Sequence, residues 1–438
     1  MHNKAYMSEF RLRKIDIKNV IEGTKTEIKE KNLYINIEEI KAAILEDKHI
    51  SSVEIHIARP GERKRIIPVK DVLAPIAKLQ GDGAVFSGCI GTPAGAISGS
   101  GTTAMLEGVG VVTCGKLVNF QEGLIDMAGP GAEYSVFSRL CNIVLVIEPI
   151  TGIDKHEHER VVREAGVKAA TMIGKASIGA PYYEEIKYPN ETIPEIYKKY
   201  PTLPKVVYVR QVLAQGLLHD NYIYGLNVRE ASFPFWLKPT ELFDGALVSG
   251  NCAAPCHKHT TYHHLKDPIV EDLLAEHGKR LAFLGIIAQP VRTSFSEKER
   301  NSYQVLKLAL AVGAEGAIIA EDGGGNPESD LMLTTRLLER AGIHTVIVTD
   351  EYAGSDGASP GLADVTPEAN AVVTNGNGNE IVVLPPMDEI IGHIEAVETI
   401  TGGHSGSLKP DGSICIEIAG IMGSTNELGM ENLSTKAV

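Results

Sequence analysis

Strand, helix, strand, helix and strand follow one another between residues 280 and 352 with little chain between them, and this alternation restricts the fold more than any other feature. RLAFLGIIAQ (280–289) is apolar throughout, as a strand covered on both faces must be. SEKERNSYQVLKLALAVGA (296–314) reads as a helix that opens on Ser296 with an early glutamate. GAIIAED (316–322) is a second strand, PESDLMLTTRLLERAGI (327–343) a helix with proline at its start, and HTVIVTDEY (344–352) a third strand. Short loops between such elements call for a parallel sheet with right-handed crossovers. NAVVTNG (370–376) and EIVVLPP (380–386) add further strands.

The first half follows a different pattern. FRLRKIDI (10–17), NLYINI (32–37), SSVEIHIA (51–58) and KRIIPVKDV (64–72) are rich in β-branched residues and partly alternate, so they read as strands. GVGVVTCGKLVNF (108–120), NIVLVIEP (142–149) and KVVYVRQVLAQG (205–216) read as strands too. Two helices are expected, a short one over 37–47 and a longer one over 155–176. Residues 81–105, crowded with Gly, Ser and Thr, read as loop, and 177–204 shows little periodicity. The expected class is α/β: a β-rich mixed N-terminal region and a C-terminal α/β layer with a largely parallel sheet. The division between them falls near residues 240–280.

Charge and cysteine usage exclude several partners. A net charge of −14 leaves no basic surface for nucleic acid, and the run Arg63-Lys64-Arg65 reads as a solvated edge or turn. No apolar run approaches the ~20 residues that span a bilayer. MHNKAYMSEFRLRK lacks the apolar core of a signal peptide, and six scattered cysteines form no secreted disulfide framework. A cytoplasmic protein is expected, without nucleic-acid or membrane partners.

SGNCAAPCHKHTTYHH (249–264) puts two cysteines and four histidines in sixteen residues. The Cys252 thiol can attack the carbonyl of Asn251 through a five-membered ring, turning the peptide bond into a thioester. β-Elimination, tautomerisation and hydrolysis would then leave a pyruvoyl group at the new N-terminus, with the sulfur lost. Proximity favours the attack, and an imidazole such as His257 or His259 could take the thiol proton and later protonate the leaving amine. Asparagine offers a second route, because its side-chain amide can cyclise onto its own carbonyl and leave the cysteine intact. A third reading is metal binding by the Cys252–His264 cluster, although C-x₃-C-H-x-H is not a structural-zinc spacing. A fourth is histidines simply packed around a loop.

EDGGGNPESD (321–330) follows a strand and opens a helix without the lysine and spacing of a phosphate loop. It reads either as a turn with a capped helix or as a carboxylate-lined pocket in which Glu321 and Asp322 meet a substrate ammonium group. GSDGASPG (354–361) would bring Asp356 to the same sheet edge. Glu122 and Asp126 fit loop and cap roles as well as site roles. His156 and His158 open a charged helix and read as exposed. Cys89, Cys114, Cys141 and Cys415 read as inert.

GNCAAPCHKHTTYHHLKDPIVEDLLAEHGKRLAFLG (250–285) resembles the α/β-subunit proprotein of component B in the glycine, sarcosine and betaine reductases of amino-acid-fermenting anaerobes. GVGVVTCGKLVNFQEGLIDMAGPGAEYSVFSR (108–139), EHER (157–160), EDGGGNPESDLM (321–332) and TDEYAGSDGASPGLADVTPEANAVVTNGN (349–377) are similar to the same family. The longer D-proline reductase proprotein shares the cleavage idea. The resemblance implies cleavage between Asn251 and Cys252 into residues 1–251 and 252–438, with Cys252 becoming a pyruvoyl group. It assigns no role to Cys256 or to individual histidines.

The implied partners are a selenocysteine-bearing component B subunit, a small selenoprotein carrier that receives the carboxymethyl group, and a component that releases acetyl phosphate. The implied reaction is reductive C–N cleavage of a small amino acid. A carbonyl suits a primary or secondary amine, but the quaternary nitrogen of betaine cannot condense with it. The competing functions are a metal-binding hydrolase or lyase and a non-catalytic scaffold subunit.

Overall fold

The expected parallel sheet is present with six strands, in the order Phe235–Leu237, Ala282–Val291, Lys205–Leu213, Gly316–Ala320, His344–Glu351, Val372–Asn377. Every neighbouring pair is parallel except the edge strand Phe235–Leu237, which runs antiparallel to Ala282–Val291. The computed structural model describes residues 9–81, 83–94, 98–119, 123–251 and 259–425.

The strand at 205–213, expected with the N-terminal region by its place in the chain, lies in the interior of this sheet. Val207, Tyr208, Val209, Val212 and Leu213 are all buried, so the run needs cover on both faces. Helices Phe295–Val312 and Glu328–Arg340 pack together over one face, where Thr334 donates to Gln289. Gln289 is in register with Gln211, so Arg210, one residue earlier, projects to the opposite face. That face meets the short helix Thr261–Leu265 and the helix Pro268–Glu276. Strand 282–291 lies on one side of 205–213 and the next strand, 316–320, on the other. The connections therefore diverge at the carboxyl end of 205–213, where sheets of this kind open a crevice.

The N-terminal region holds a five-strand path, Gly123–Asp126, Lys64–Leu73, Val109–Cys114, Cys141–Pro149, Ile50–Ala58, and a four-stranded sheet, Glu184–Pro189, Glu9–Asp16, Gly101–Glu107, Ile76–Gln80. Helix Lys155–Gly174 covers them with a stripe of Val161, Val162, Ala165, Ala169 and Ile173. Asp154 caps its start by accepting from the N–H groups of His156 and Glu157. The late strand Glu389–Gly392 pairs in parallel with 64–73. Each half of the chain thus supplies a strand to a sheet of the other.

Several expectations change. Residues 177–204 hold the strand 184–189 and a short helix, Ile193–Lys199; the strand pairs along only one side and is largely polar, so it carries little apolar pattern. Residues 101–107, within and beyond the glycine-rich stretch, form a strand. Ile381–Leu384 pairs antiparallel with Ile414–Glu417 outside the parallel sheet. Arg65 is fully buried rather than solvated: its Nε and Nη2 donate to Asp126 at 2.6 and 2.8 Å, which also gives Asp126 a structural partner. His156 and His158 are half-buried rather than exposed, and the His156 ring packs 4.7 Å from that of His219. Burial pushes the Cys89 thiol up to about 11 and that of Cys114 up to about 12, which suits inert cysteines. Among the described residues no helix is long and apolar enough to cross a membrane.

The shared sheets predict that breaking the 251–252 bond leaves the fold assembled. Residues 1–251 and 252–438 should elute together in native size-exclusion chromatography and separate only in denaturant. Separation in native buffer would contradict this topology.

Candidate functional site at the carboxyl edge of the parallel sheet

Strand Leu247–Ser249 pairs antiparallel with Asn221–Ile223 and leads into Gly250 and Asn251. The Ser249 N–H donates to the Thr261 hydroxyl at 2.9 Å, joining the two ends of the segment between them. Asp71 fixes that closure, accepting from the Thr261 N–H at 2.8 Å and from its hydroxyl at 2.6 Å. Cys252, Cys256 and His257 fall within 252–258 and lie outside the described residues, as does Glu122.

Asn251 is 4% exposed, and its side-chain amide has no hydrogen-bond partner among the described residues. A buried amide in that condition costs stability unless another group meets it. Its backbone N–H points to Glu159 Oε1 at 3.4 Å. Gly250 before it has no room for a side chain: a Cβ would stand 2.3 Å from the His219 carbonyl oxygen and 3.0 Å from Glu159 Oε1. Glu159, on helix 155–174, also binds Arg163 and Tyr222. His219 packs between the rings of Tyr222 and His156.

The far end of the segment is organised by Arg210. This guanidinium is buried, cannot lose its proton, and needs acceptors on every side. Its Nη2 donates to His259 Nδ1 at 2.7 Å and reaches His264 Nδ1 at 3.3 Å, while Nε lies 3.3 Å from Asp267 Oδ2. His264 is held at both nitrogens: Nδ1 faces Arg210, and Nε2 donates to Asn221 Oδ1 at 3.0 Å. Asn221 in turn donates to the Leu213 carbonyl and to Asp322 Oδ2. Asp322 also accepts the Leu213 N–H at 2.7 Å.

His259 stands between opposites. Its Nδ1 is 2.7 Å from a permanent donor, Arg210, and 3.2 Å from an acceptor, Asp322 Oδ1. A bare Nδ1 accepts from Arg210, and a protonated one donates to Asp322; it cannot do both. This nitrogen therefore has one partner that only donates and one that accepts, and its tautomer decides which it bonds. Burial opposes the charge on Asp322, yet His259, Arg210 and the Leu213 N–H together hold its carboxyl below the usual range. Burial pushes Asp267 upward, against Arg210. His263 is different: Nδ1 accepts from Thr260, and Nε2 is buried without a hydrogen-bond partner among the described residues. Burial, then the neighbouring His259 and Arg210, hold it well below the ordinary imidazole range. A neutral His263 can only donate from Nε2.

The expected site residues divide in the structure. His259 and Asp322 meet at 3.2 Å, and Asn251 follows the strand 247–249 that pairs with Asn221, itself a partner of Asp322. Glu321 is buried beside it but bonds the Thr349 hydroxyl. Asp356 stands apart, exposed, accepting the Ala358 N–H at 3.0 Å. The glycine turn after strand 316–320 is a capped turn, with Glu328 accepting the Gly325 N–H at 2.7 Å. A groove of about 690 Å³ lies over it, between Tyr352 and residues 398–403. Among the described residues no three His, Cys, Asp or Glu side chains converge to hold a metal. The sequence reading named His263 only as one of the candidate metal ligands of the Cys252–His264 cluster, and it missed Arg210, Asn221, Asp267 and Glu159. Arg210 alone carried a signal, as a charge inside an apolar strand.

A family model described as glycine/sarcosine/betaine reductase component B subunits matches residues 8–436. The glycine reductase complex component B subunits alpha and beta of Peptoclostridium acidaminophilum are 48% identical over 422 residues, covering 96% of this chain and 98% of that one. Their counterpart from Acetoanaerobium sticklandii is 44% identical over 424 residues, 96% of this chain and 98% of that one. The sarcosine reductase complex component B subunit alpha of P. acidaminophilum is 44% identical over 425 residues, 97% and 99% of the two chains. No solved structure matches this chain.

Two outcomes follow from this geometry. Gly250→Ala should cost about 1–3 kcal/mol in urea unfolding, the usual scale of overpacking, and an unchanged midpoint would contradict the close approach. His158 is held down to about 4, chiefly by burial and then by Lys70 and Lys116. Its folded value lies below the unfolded one of ~6.5, so it favours the fold above pH 6.5 and loses that contribution as pH falls toward 4. Allowing for partial solvent screening, His158→Gln should lose about 1 kcal/mol less stability than the unsubstituted protein between pH 7.5 and 5. Equal losses would contradict the assignment.

Proposed function

The chain belongs to the glycine/sarcosine/betaine reductase component B family, and from that membership we propose that it is a self-processing subunit of an amine-cleaving reductase complex, cut between Asn251 and Cys252. The relatives named for glycine reductase join alpha and beta subunits in one chain, which supports a division of this chain into two pieces. The observation that carries the reading is Asn251: buried, at the end of a strand, with an amide that meets no partner among the described residues.

Processing needs no oxidant. The Cys252 sulfur forms a bond to the Asn251 carbonyl carbon as the Asn251–Cys252 peptide bond breaks, and the thiol proton ends on the freed amine. Loss of the α-proton then breaks the Cβ–S bond, and the sulfur leaves on the Asn251 carboxyl as a thiocarboxylate. Water replaces nitrogen at the new N-terminus, releasing ammonia and leaving the pyruvoyl carbonyl. His259 suits the proton traffic, because Arg210 and Asp322 give its Nδ1 an acceptable partner with or without a proton. His257 is the second candidate from its place in the chain.

The described residues suit a pyruvoyl group. Asn251 and His263 each bring a buried polar atom without a partner among the described residues, and a small carbonyl accepts hydrogen bonds of that kind. Asn251, His259 and His263 would hold it. When present, the group supplies a carbonyl able to draw electrons from an amine nitrogen. Glu321 and Asp322 add negative charge to the crevice and favour a cationic amine substrate, while Asp356 has no part in this reading. Reductive C–N cleavage would need electrons and a carboxymethyl acceptor from other components, a selenocysteine-bearing subunit, a small selenoprotein carrier and an acetyl-phosphate-forming component.

Purified full-length chain, followed by denaturing gel, tests the junction. The unsubstituted protein should give two bands and Cys252→Ala one. Asn251→Ala should still cleave, slower by on the order of 10-fold, the scale of lost orientation. Cleavage of Cys252→Ala would move the chemistry to the Asn251 amide and contradict the sulfur route.

A further inference from the structure

The EHER run, 157–160, has no role in the chemistry above, yet one of its residues touches the junction. Glu159 lies on helix 155–174 and its carboxylate is fully buried. A buried carboxylate has to be paired, and this one is braced twice. Arg163 Nε donates to Oε1 at 2.9 Å, and the Tyr222 hydroxyl donates to Oε2 at 2.9 Å. The Arg163 guanidinium lies 3.7 Å over the centre of the Tyr222 ring, so the three groups support one another. Oε1 then faces the N–H of Asn251 at 3.4 Å, with Gly250 pressed against the same oxygen. That N–H belongs to the peptide immediately before the bond to be broken.

We propose that Glu159 is a positioning residue for processing: by holding the Asn251 N–H, it fixes the Gly250–Asn251 peptide plane, one Cα before the carbonyl to be attacked, and so narrows the directions in which that carbonyl can face. This rests on the Asn251–Cys252 reading. The step it assists is the acyl shift already balanced above, in which the Asn251 carbon exchanges the nitrogen of residue 252 for its sulfur. Glu159 neither takes nor gives a proton there. Its effect is geometric, and an intramolecular attack is sensitive to geometry: a displacement of ~1 Å can cost on the order of 100-fold. The helix start that carries Glu159 is anchored by the Asp154 cap and by burial of the Val161–Ile173 stripe, so the carboxylate is held by a rigid element rather than a loop.

Two substitutions separate reach from charge in the full-length chain. Glu159→Asp keeps the charge for Arg163 but withdraws the oxygens by one methylene. Glu159→Gln keeps a carbonyl oxygen at full reach without the charge. Positioning predicts that E159D slows the appearance of the two fragments by about 10–100-fold. It predicts that E159Q stays within about threefold of the unsubstituted rate. Hydroxylamine, which traps a thioester at residue 251, should release less fragment from E159D than from E159Q at equal melting temperature.

Unsubstituted-rate cleavage by E159D, or E159Q slowed as much as E159D, would overturn the proposal while leaving the junction intact. If E159D fails to fold, Tyr222→Phe, which removes one brace, decides: slowing by several-fold supports the proposal, and an unchanged rate overturns it. An unsubstituted chain that never cleaves, or a Cys252→Ala chain that cleaves equally, would remove the junction reading itself and the proposal with it.

Discussion

A guanidinium that cannot give up its proton lies buried at the carboxyl end of an interior strand, and the surrounding structure is arranged to satisfy it. Arg210 draws Asp267 to one side and His259 and His264 to another, which fixes helices 261–265 and 268–276 against the sheet. Asp322 comes from the turn after strand 316–320 and completes the ring through Asn221 and the Leu213 N–H. Removing one member of such a network leaves a buried charge uncompensated, at about 3–5 kcal/mol. The arrangement leaves His259 Nδ1 between a fixed donor, Arg210, and a fixed acceptor, Asp322.

Arg210 comes from before residue 251, whereas His259, His264, Asp267 and Asp322 come from after it. The crevice is therefore assembled from both sides of the proposed break, like the parallel sheet beneath it. A chain divided at 251 would keep its site because the contacts that build the site do not pass through the severed bond. The closure of Ser249 on Thr261, held by Asp71, places the two ends of the intervening segment side by side, so the strain of a broken loop would fall on few residues.

Much of the fold was readable because its elements are long and periodic. The alternation from 280 to 352 carried the parallel sheet, and the apolar stripe of 155–174 carried the long helix. The placement of 205–213 was not readable, since a strand buried on both faces has the same pattern in either half of the chain; only its partners decide, and they lie up to 110 residues later, in strand 316–320. The strand 184–189 was missed because it is short and largely polar. At the candidate site, Asn251, His259 and Asp322 were named from local chemistry and family likeness. Arg210, Asn221, Asp267 and Glu159 were not, because their roles arise from side chains that meet only after folding. Arg65 misled for the opposite reason: a basic triplet looks solvated until Asp126, 61 positions on, arrives to pair with its last member.

The central claim is that a side-chain sulfur breaks its own backbone bond and leaves a carbonyl in its place. Intact mass spectrometry of the fragment beginning at residue 252, from protein made in an anaerobic host, tests this directly. The account predicts a mass lacking the sulfur and amine of cysteine and a gain of label with a hydrazide reagent. A fragment with an intact, unlabelled N-terminal cysteine, or a single uncut chain, would contradict it.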